Sequence, residues 1–262
     1  MTLDTRSHLS GRDKGLGIAL RILSVLALFI VWEIYGRDPT HFGTPPPSRV
    51  FPALWTGLVE GDLLPSTLGT LWAVFVGLVI SLGFGIVVGF AIPLFPWAKN
   101  TLDPLIDAAY AMPVTMLIPI IGVYTGLGFR GRVFVVFTYV AMVIVIGTAT
   151  GVREVNKEHV ETARAFGARG FVLWRKVVFP SALPYITSAA AMGVARGVRG
   201  AVTAELLLIA ANLGGFLLGS ASRFDMPSLL AGIIWTLLLG YFLYTGAKML
   251  ERRLLRWREL GN

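Results

Sequence analysis

The sequence of 262 residues has no cysteine and little charge, since only 15% of its residues are Asp, Glu, Lys or Arg. The absence of cysteine excludes disulfides, thiolate metal sites and a cysteine nucleophile. The histidines His8, His41 and His159 are scattered and form no metal-ligand pattern. No Gly-x-x-x-x-Gly-Lys-Ser/Thr phosphate-binding loop occurs. We therefore expect a chain without catalytic residues, metal or cofactor of its own, and any ATP it depends on must bind to another chain.

Apolar residues dominate instead. They make up 55% of the chain, and the mean hydropathy is +0.71, whereas a soluble domain carries about 25% charged residues. The length suits a bundle of about six spanning helices of roughly 20 apolar residues each. The composition predicts an all-α polytopic membrane protein, with a tail at 1–14 and one membrane domain at 15–262.

Six stretches are long and apolar enough to cross a bilayer. They lie near residues 15–35, 70–95, 105–124, 133–152, 186–211 and 229–250. With six spans both termini share one side, and that side holds fifteen of the 23 Lys and Arg residues, against five on the other. The positive-inside rule places both termini in the cytoplasm. The formal charge of +8 is therefore an orientation signal, and we expect no nucleic-acid partner.

Several breakers interrupt this pattern. Pro113 and Pro119 fall inside the third span, where either a bend bordering a wet path or a simple kink would accommodate them. On the outer side, prolines at 45–47 precede a segment at 49–59 that could form a short helix on the membrane surface. The run Asn212-Leu-Gly-Gly predicts a turn.

The longest cytoplasmic loop, at 153–180, has a pattern of its own. Good helix formers from Glu158 to Phe166 predict a helix that Gly167 ends in a left-handed conformation. A second short segment, 171–178, follows and is stopped by Pro180. Large apolar side chains on a basic loop of this length indicate a docking surface, although a helical loop packed on its own bundle is the alternative.

This loop resembles the EAA loop in permease subunits of bacterial binding-protein-dependent ABC importers. The residues that match its spacing are Glu161, Ala163, Gly167, Val177 and Pro180. Thr162 stands where the family usually has its first alanine, and Phe179 where it has leucine. The resemblance implies that these five matching residues couple the chain to an ATPase.

Nearly the whole chain after residue 44 is similar to the nitrate, sulfonate and taurine branch of these permeases. The matching stretches are Pro45 to Ser48, Pro113 with Leu117 to Ile120, Phe179 to Pro184, Gly193 to Glu205, and Leu213 to Leu217. The departures are Ala73, where the branch usually has arginine, Val198, where it often has tryptophan, and Arg199, which looks like an addition. We expect these changes to lie around the path and to affect the substrate.

The resemblance implies a MetI-like permease fold in a bacterial inner membrane. It further implies a second permease copy, giving a homodimer, two ATPase subunits that bind ATP and Mg, and an extracytoplasmic substrate-binding protein. The leading hypothesis is a translocation path for a small anion such as a sulfonate, taurine, nitrate or organic acid. An ion-coupled secondary transporter is the alternative, but it needs mid-membrane carboxylates and only Glu205 fits. An intramembrane enzyme lacks its catalytic groups.

Polar residues within the spans are the candidates for lining the path, because charges there are costly and usually line a passage or pair. They are Arg196, Arg199 and Glu205 in the fifth span, with Tyr110, Met112, Pro113 and Thr115 in the third. At 100° per residue neither arginine faces the same way as Glu205, so their partners lie elsewhere. A buried ion pair between helices is the other reading.

Overall fold

The computed structural model describes residues 11–40, 43–94 and 96–256, and the regular elements in these ranges are helices. In chain order they are α1 (Gly11–Arg37), α2 (Pro47–Val59), α3 (Leu63–Leu94), α4 (Pro96–Ala111), a 3₁₀ turn (Val114–Leu117), α5 (Ile118–Thr125), α6 (Phe129–Arg153), α7 (Lys157–Ala165), α8 (Gly170–Leu173), a π turn (Trp174–Val178), α9 (Phe179–Leu207), α10 (Asn212–Ser222) and α11 (Met226–Leu254). The predicted all-α class is confirmed. Helix α1 begins inside the predicted tail, whose first ten residues lie outside the described ranges.

Five helical stretches are long and apolar enough to cross a membrane, and a sixth is broken. The five are Ala19–Arg37, Leu63–Pro93, Phe129–Arg153, Gly170–Leu207 and Met226–Leu254. The predicted third span is not one straight helix, because Pro104–Ala111 and Val114–Thr125 meet at 83°. Pro113 sits at the break with an extended backbone, and proline disfavours helix in the residue before it.

Helices α3, α6 and α9 form the core, and small residues bring them close. A Cβ on Gly89 of α3 would lie 2.5 Å from the Cβ of Thr148 and 2.8 Å from the carbonyl oxygen of Val145, both on α6. Glycine at this position lets the two helices approach closely. Val198 and Ala73 are buried in this core, so the expectation that these two departures lie around the path is wrong.

Helix α1 stands at the periphery, and none of its apolar window is buried. Its outer end is fixed to the start of α2. The Oγ and backbone N–H of Ser48 donate to the Glu33 carboxylate at 2.7 and 3.1 Å, and Trp32 Nε1 donates to the Pro45 carbonyl oxygen at 3.1 Å. The short helix predicted at 49–59 is present as α2, beginning at Pro47.

The predicted turn at Asn212–Gly215 is wrong, because these residues begin helix α10. The chain turns just before it, at 208–211, and Asn212 takes a left-handed φ of 49°. A Cβ on Gly214 would lie 2.5 Å from the Cβ of Glu205. The glycines thus serve close packing of α10 on the end of α9 rather than a turn.

Candidate functional site

The loop at 153–180 forms the predicted helix, which ends in an elbow at Gly167. Asn156 caps α7 by accepting from the N–H of Glu158 at 2.9 Å. At the other end Gly167 has φ +84°; its N–H donates to the Arg164 carbonyl and the N–H of Ala168 to the Ala163 carbonyl, both at 2.9 Å. This pair of bonds is a Schellman motif. It explains why glycine stands four residues after Ala163, the residue whose carbonyl closes the motif.

Pro180 does not stop the second segment, contrary to the prediction. Residues 170–207 run as one helical stretch through the π turn, in which the N–H of Phe179 donates to the carbonyl of Trp174 five residues back. Pro180 directly follows the π turn, so its missing N–H falls where the regular helical bonding is already interrupted. The second segment of the loop and the fifth span therefore form one continuous helical rod.

The five coupling candidates divide into two groups. Glu161 and Gly167 are exposed at α7, and Ala163 is half-buried beside them. Val177 and Pro180 line a cavity of about 490 Å³ between α7 and the base of α9, with Glu154, Asn156, His159, Lys176, Ser181, Pro184 and Tyr185.

Large apolar side chains project from this loop. Phe166 is 86% and Phe171 70% exposed. The loop is nevertheless anchored, because Trp174 packs against Phe90 of α3 at 5.0 Å and against Phe179 at 5.5 Å between ring centroids. Exposed apolar rings among arginines on an anchored loop are typical of a docking surface, and the docking of a partner at this loop stays a prediction.

A stripe along α9 is exposed except at Arg196, which is half-buried. We call it the open face of α9, and it consists of Tyr185, Met192, Arg196, Arg199 and Leu206. These positions fall within about 80° of one another around the helix. Two of the predicted path residues, both arginines, therefore share this face, with Arg199 exposed and Arg196 half-buried.

The broken third span lies against this face. Arg196 Nη2 donates to the Tyr110 hydroxyl, and its guanidinium carbon lies 4.8 Å from the centre of the Tyr110 ring, a cation–π contact. Arg199, by contrast, is exposed, and within the described ranges its guanidinium makes no hydrogen bond or ion pair. Tyr110 and Arg196, predicted separately on two spans, are thus brought together.

The other predicted residues of the break are also exposed. Met112 and Pro113 lie at the bend with their side chains open. The hydroxyls of Thr115 and Tyr139 are 3.2 Å apart. Hydroxyl groups and the thioether of Met112 therefore lie at the bend of the third span, beside the face that carries the arginines.

Glu205 does not lie on the open face. It is fully buried and pairs with Arg132 of α6 at 3.1 Å. The Thr70 hydroxyl donates to it at 2.8 Å, Asn212 Nδ2 at 2.9 Å, and the N–H of Gly214 at 3.3 Å. This cluster joins α3, α6, α9 and α10 and is the buried ion pair that the sequence left as the alternative; we call it the Glu205 cluster.

The sequence did not identify Arg132, Thr70 or Asn212 as partners of Glu205. The fourth span was predicted to begin at 133, so Arg132 counted as a loop charge, whereas α6 begins at Phe129. One signal could have identified Arg132 as the partner of Glu205. A buried carboxylate requires a nearby cation, and Arg132 lies in the first turn of α6, a helix of the same core. Asp103 and Asp107 stand at the start of the predicted third span, and their side chains lie outside the described part of the chain.

Comparison with known proteins places this geometry in context. A family model described as "Binding-protein-dependent transport system inner membrane component" matches residues 81–256. The taurine transport system permease protein TauC of Escherichia coli (strain K12) is 30% identical over 220 residues, which cover 81% of this chain and 79% of TauC. The riboflavin transport system permease protein RibX of Chloroflexus aurantiacus is 31% identical over 237 residues, 90% of this chain and 88% of RibX.

A solved structure has the same fold. The chain from an inward-facing conformation of the MetNI methionine ABC transporter superposes with a TM-score of 0.59 at 21% identity, covering 77% of this chain and 97% of that one. The predicted MetI-like fold is confirmed.

Proposed function

Because this chain belongs to the family of binding-protein-dependent transport system inner membrane components, we propose that it lines a membrane path for a small anion together with a second copy of itself. As a member, it is the permease subunit of an ABC importer, a non-catalytic membrane subunit that works with ATPase subunits and a binding protein. The path, its substrate and the pairing of two copies are the proposal.

The observation that carries it is the open face of α9. An arginine within a spanning helix is costly unless it faces water or a partner, and Arg199 finds no partner among the described residues. Arg196 is steadied by Tyr110. A second copy facing this surface would enclose both arginines in one passage and double their charge.

Such a passage favours anions. Positive charge with low-dielectric walls attracts negative ions and repels positive ones. Glu205 does not offset this charge at the surface, because its carboxylate forms an ion pair with Arg132 inside the bundle. Taurine, named for one relative, carries a sulfonate, but riboflavin, named for another, shows that fold similarity does not choose the substrate.

Coupling is assigned to the cytoplasmic loop. Two ATPase subunits, which bind the ATP and Mg, each receive one loop at Phe166, Phe171 and Glu161. The anchored base at Trp174 passes the movement to α9. The alternative, an ion-coupled secondary transporter, is disfavoured because Glu205, the carboxylate of the fifth span, is buried, ion-paired and close to the end of α9 rather than at mid-membrane.

Replacing the open-face arginines tests the path. In proteoliposomes with the ATPase and binding protein, Arg199→Gln is expected to lower uptake of the cognate anion at least about tenfold, since a charge-assisted contact is worth roughly 1.5–3 kcal/mol. Arg196→Gln should also lower it, while ATP hydrolysis persists. The matched control is Arg21→Gln, an exposed arginine of α1 away from the open face.

Normal uptake in both arginine variants would show that these side chains are structural. A cationic substrate would contradict the anion path as well. Uptake that persists with a hydrolysis-deficient ATPase and follows an ion gradient would favour the secondary transporter instead.

The orientation is tested with single cysteines, which the chain lacks. With the predicted topology, Glu60→Cys after α2 faces outward and Glu158→Cys on α7 faces the cytoplasm, and both positions are exposed. In right-side-out vesicles a membrane-impermeant maleimide is expected to label only Glu60→Cys, and to label Glu158→Cys after permeabilisation. The reverse pattern would overturn the orientation.

A further inference from the structure

An apolar groove runs along the outside of the bundle, between α3 and the first half of α6. Its volume is about 280 Å³, and it is lined by Ile80, Phe129, Arg130, Val133, Phe134 and Phe137. The floor is aromatic, because the ring of Phe137 stands edge-on to Phe84 at 5.2 Å and contacts Phe134 at 5.7 Å between centroids. Phe134 remains 44% exposed.

Arg130 closes one end of this groove. It stands in the first turn of α6, four residues before Phe134 and seven before Phe137, so all three share a helix face. Helix α6 has 25 residues and is about 37 Å long, which exceeds the roughly 30 Å hydrocarbon core of a bilayer. Its first turn therefore reaches the level of the lipid headgroups.

The charge of Arg130 is uncommitted. Within the described ranges its guanidinium makes no hydrogen bond or ion pair, and the residue is exposed. Arg132, two residues later, points the other way into the Glu205 cluster. The two arginines thus differ in role, one structural and one directed outward at the membrane surface.

We propose that this groove binds an anionic phospholipid, with the phosphate held by Arg130 and one acyl chain laid over Phe134 and Phe137. A guanidinium suits phosphate because it can donate two parallel hydrogen bonds. Basic pockets beside spanning helices bind acidic headgroups in the same way. The inference needs only that α6 spans the membrane, so it holds for either orientation and does not rest on the anion path.

A second copy of the chain is the competing occupant, since α1 is uncovered and could lie over the groove. The carboxylate that α1 would bring near Arg130 is already engaged, however. Glu33, the carboxylate near the outer end of α1, already accepts from Ser48 and pairs with Arg37 at 2.7 Å. A lipid phosphate supplies the missing negative charge without breaking those bonds.

Photo-labelling tests the proposal. The purified chain in nanodiscs is exposed to phosphatidylglycerol carrying a photoactivatable acyl chain, and peptides around Phe134 are scored for adducts. We expect Arg130→Gln to reduce labelling about fivefold, the value of roughly 1 kcal/mol for one arginine at a lipid surface. Ile80→Trp should reduce it by filling the groove, and Arg223→Gln, another exposed outer arginine, should not.

Three results would overturn the site. They are unchanged labelling in Arg130→Gln, equal labelling by the corresponding phosphatidylcholine, and a disulfide between copies in the double variant Ile30→Cys/Phe134→Cys, which would place α1 of a second copy over the groove. Each readout is independent of transport, so a failed anion path leaves this test intact.

Discussion

Glu205→Leu is expected to destabilise the folded chain by about 3–5 kcal/mol, because it leaves Arg132 as an uncompensated charge inside the bundle. The hydroxyl of Thr70 and the amide of Asn212 lose their acceptor at the same time. The midpoint of thermal unfolding of the detergent-solubilised chain, followed by size-exclusion, should fall by roughly 10 °C.

The control for this prediction is the double variant. Glu205→Leu with Arg132→Met removes both charges, and paired replacement of a buried ion pair by apolar residues is often close to neutral. The double variant should therefore recover most of the loss, giving a coupling energy of about 2 kcal/mol or more. Additive losses would mean that the two charges do not stabilise each other.

Gly167→Val is expected to weaken coupling strongly while the chain remains in the membrane. Gly167 has φ +84°, and a left-handed conformation costs an L-residue about 1–2 kcal/mol, more for a β-branched one. The Schellman bonds that fix the elbow would break, and Phe166 would leave its docking position. Uptake should drop on the order of tenfold, together with ATPase stimulation by the loaded binding protein.

Gly167→Asn is the matched control, because asparagine tolerates the left-handed region. It should keep most of the uptake that Gly167→Val loses. No atom lies within 4 Å of a Cβ placed at this glycine, so a steric clash does not account for a difference between the two variants. Normal uptake in Gly167→Val would contradict the assignment of this loop to ATPase docking.

Properties that depend on one helix at a time could be predicted from the sequence. The apolar runs, the helix at α7 and the left-handed Gly167 follow from local propensity and hydrogen bonding, and they appear as expected apart from the break in the third span. The helical wheel also placed Glu205 and the arginines on different faces. The path role of any residue is a separate matter that the uptake variants decide.

What was missed depends on neighbouring helices. The partner of Glu205 lies 73 residues away in sequence, and no local pattern specifies it. From the sequence alone, Pro180 predicts the end of a helix and Gly214 predicts a turn. The π turn before Pro180 and the close contact of Gly214 with Glu205 are seen only in the structure. The bend at Pro113 was located, but its angle depends on packing against α6.

The π turn at Trp174–Val178 sets the rotational phase between the two ends of the rod formed by residues 170–207, which is about 57 Å long. One wide turn accommodates an extra residue without interrupting the helix. The same residues wound as a regular α-helix would rotate Arg196 and Arg199 by about 100° relative to Phe171. Rewinding this single turn would therefore rotate both guanidinium groups about the helix axis relative to Phe171, without bending the helix.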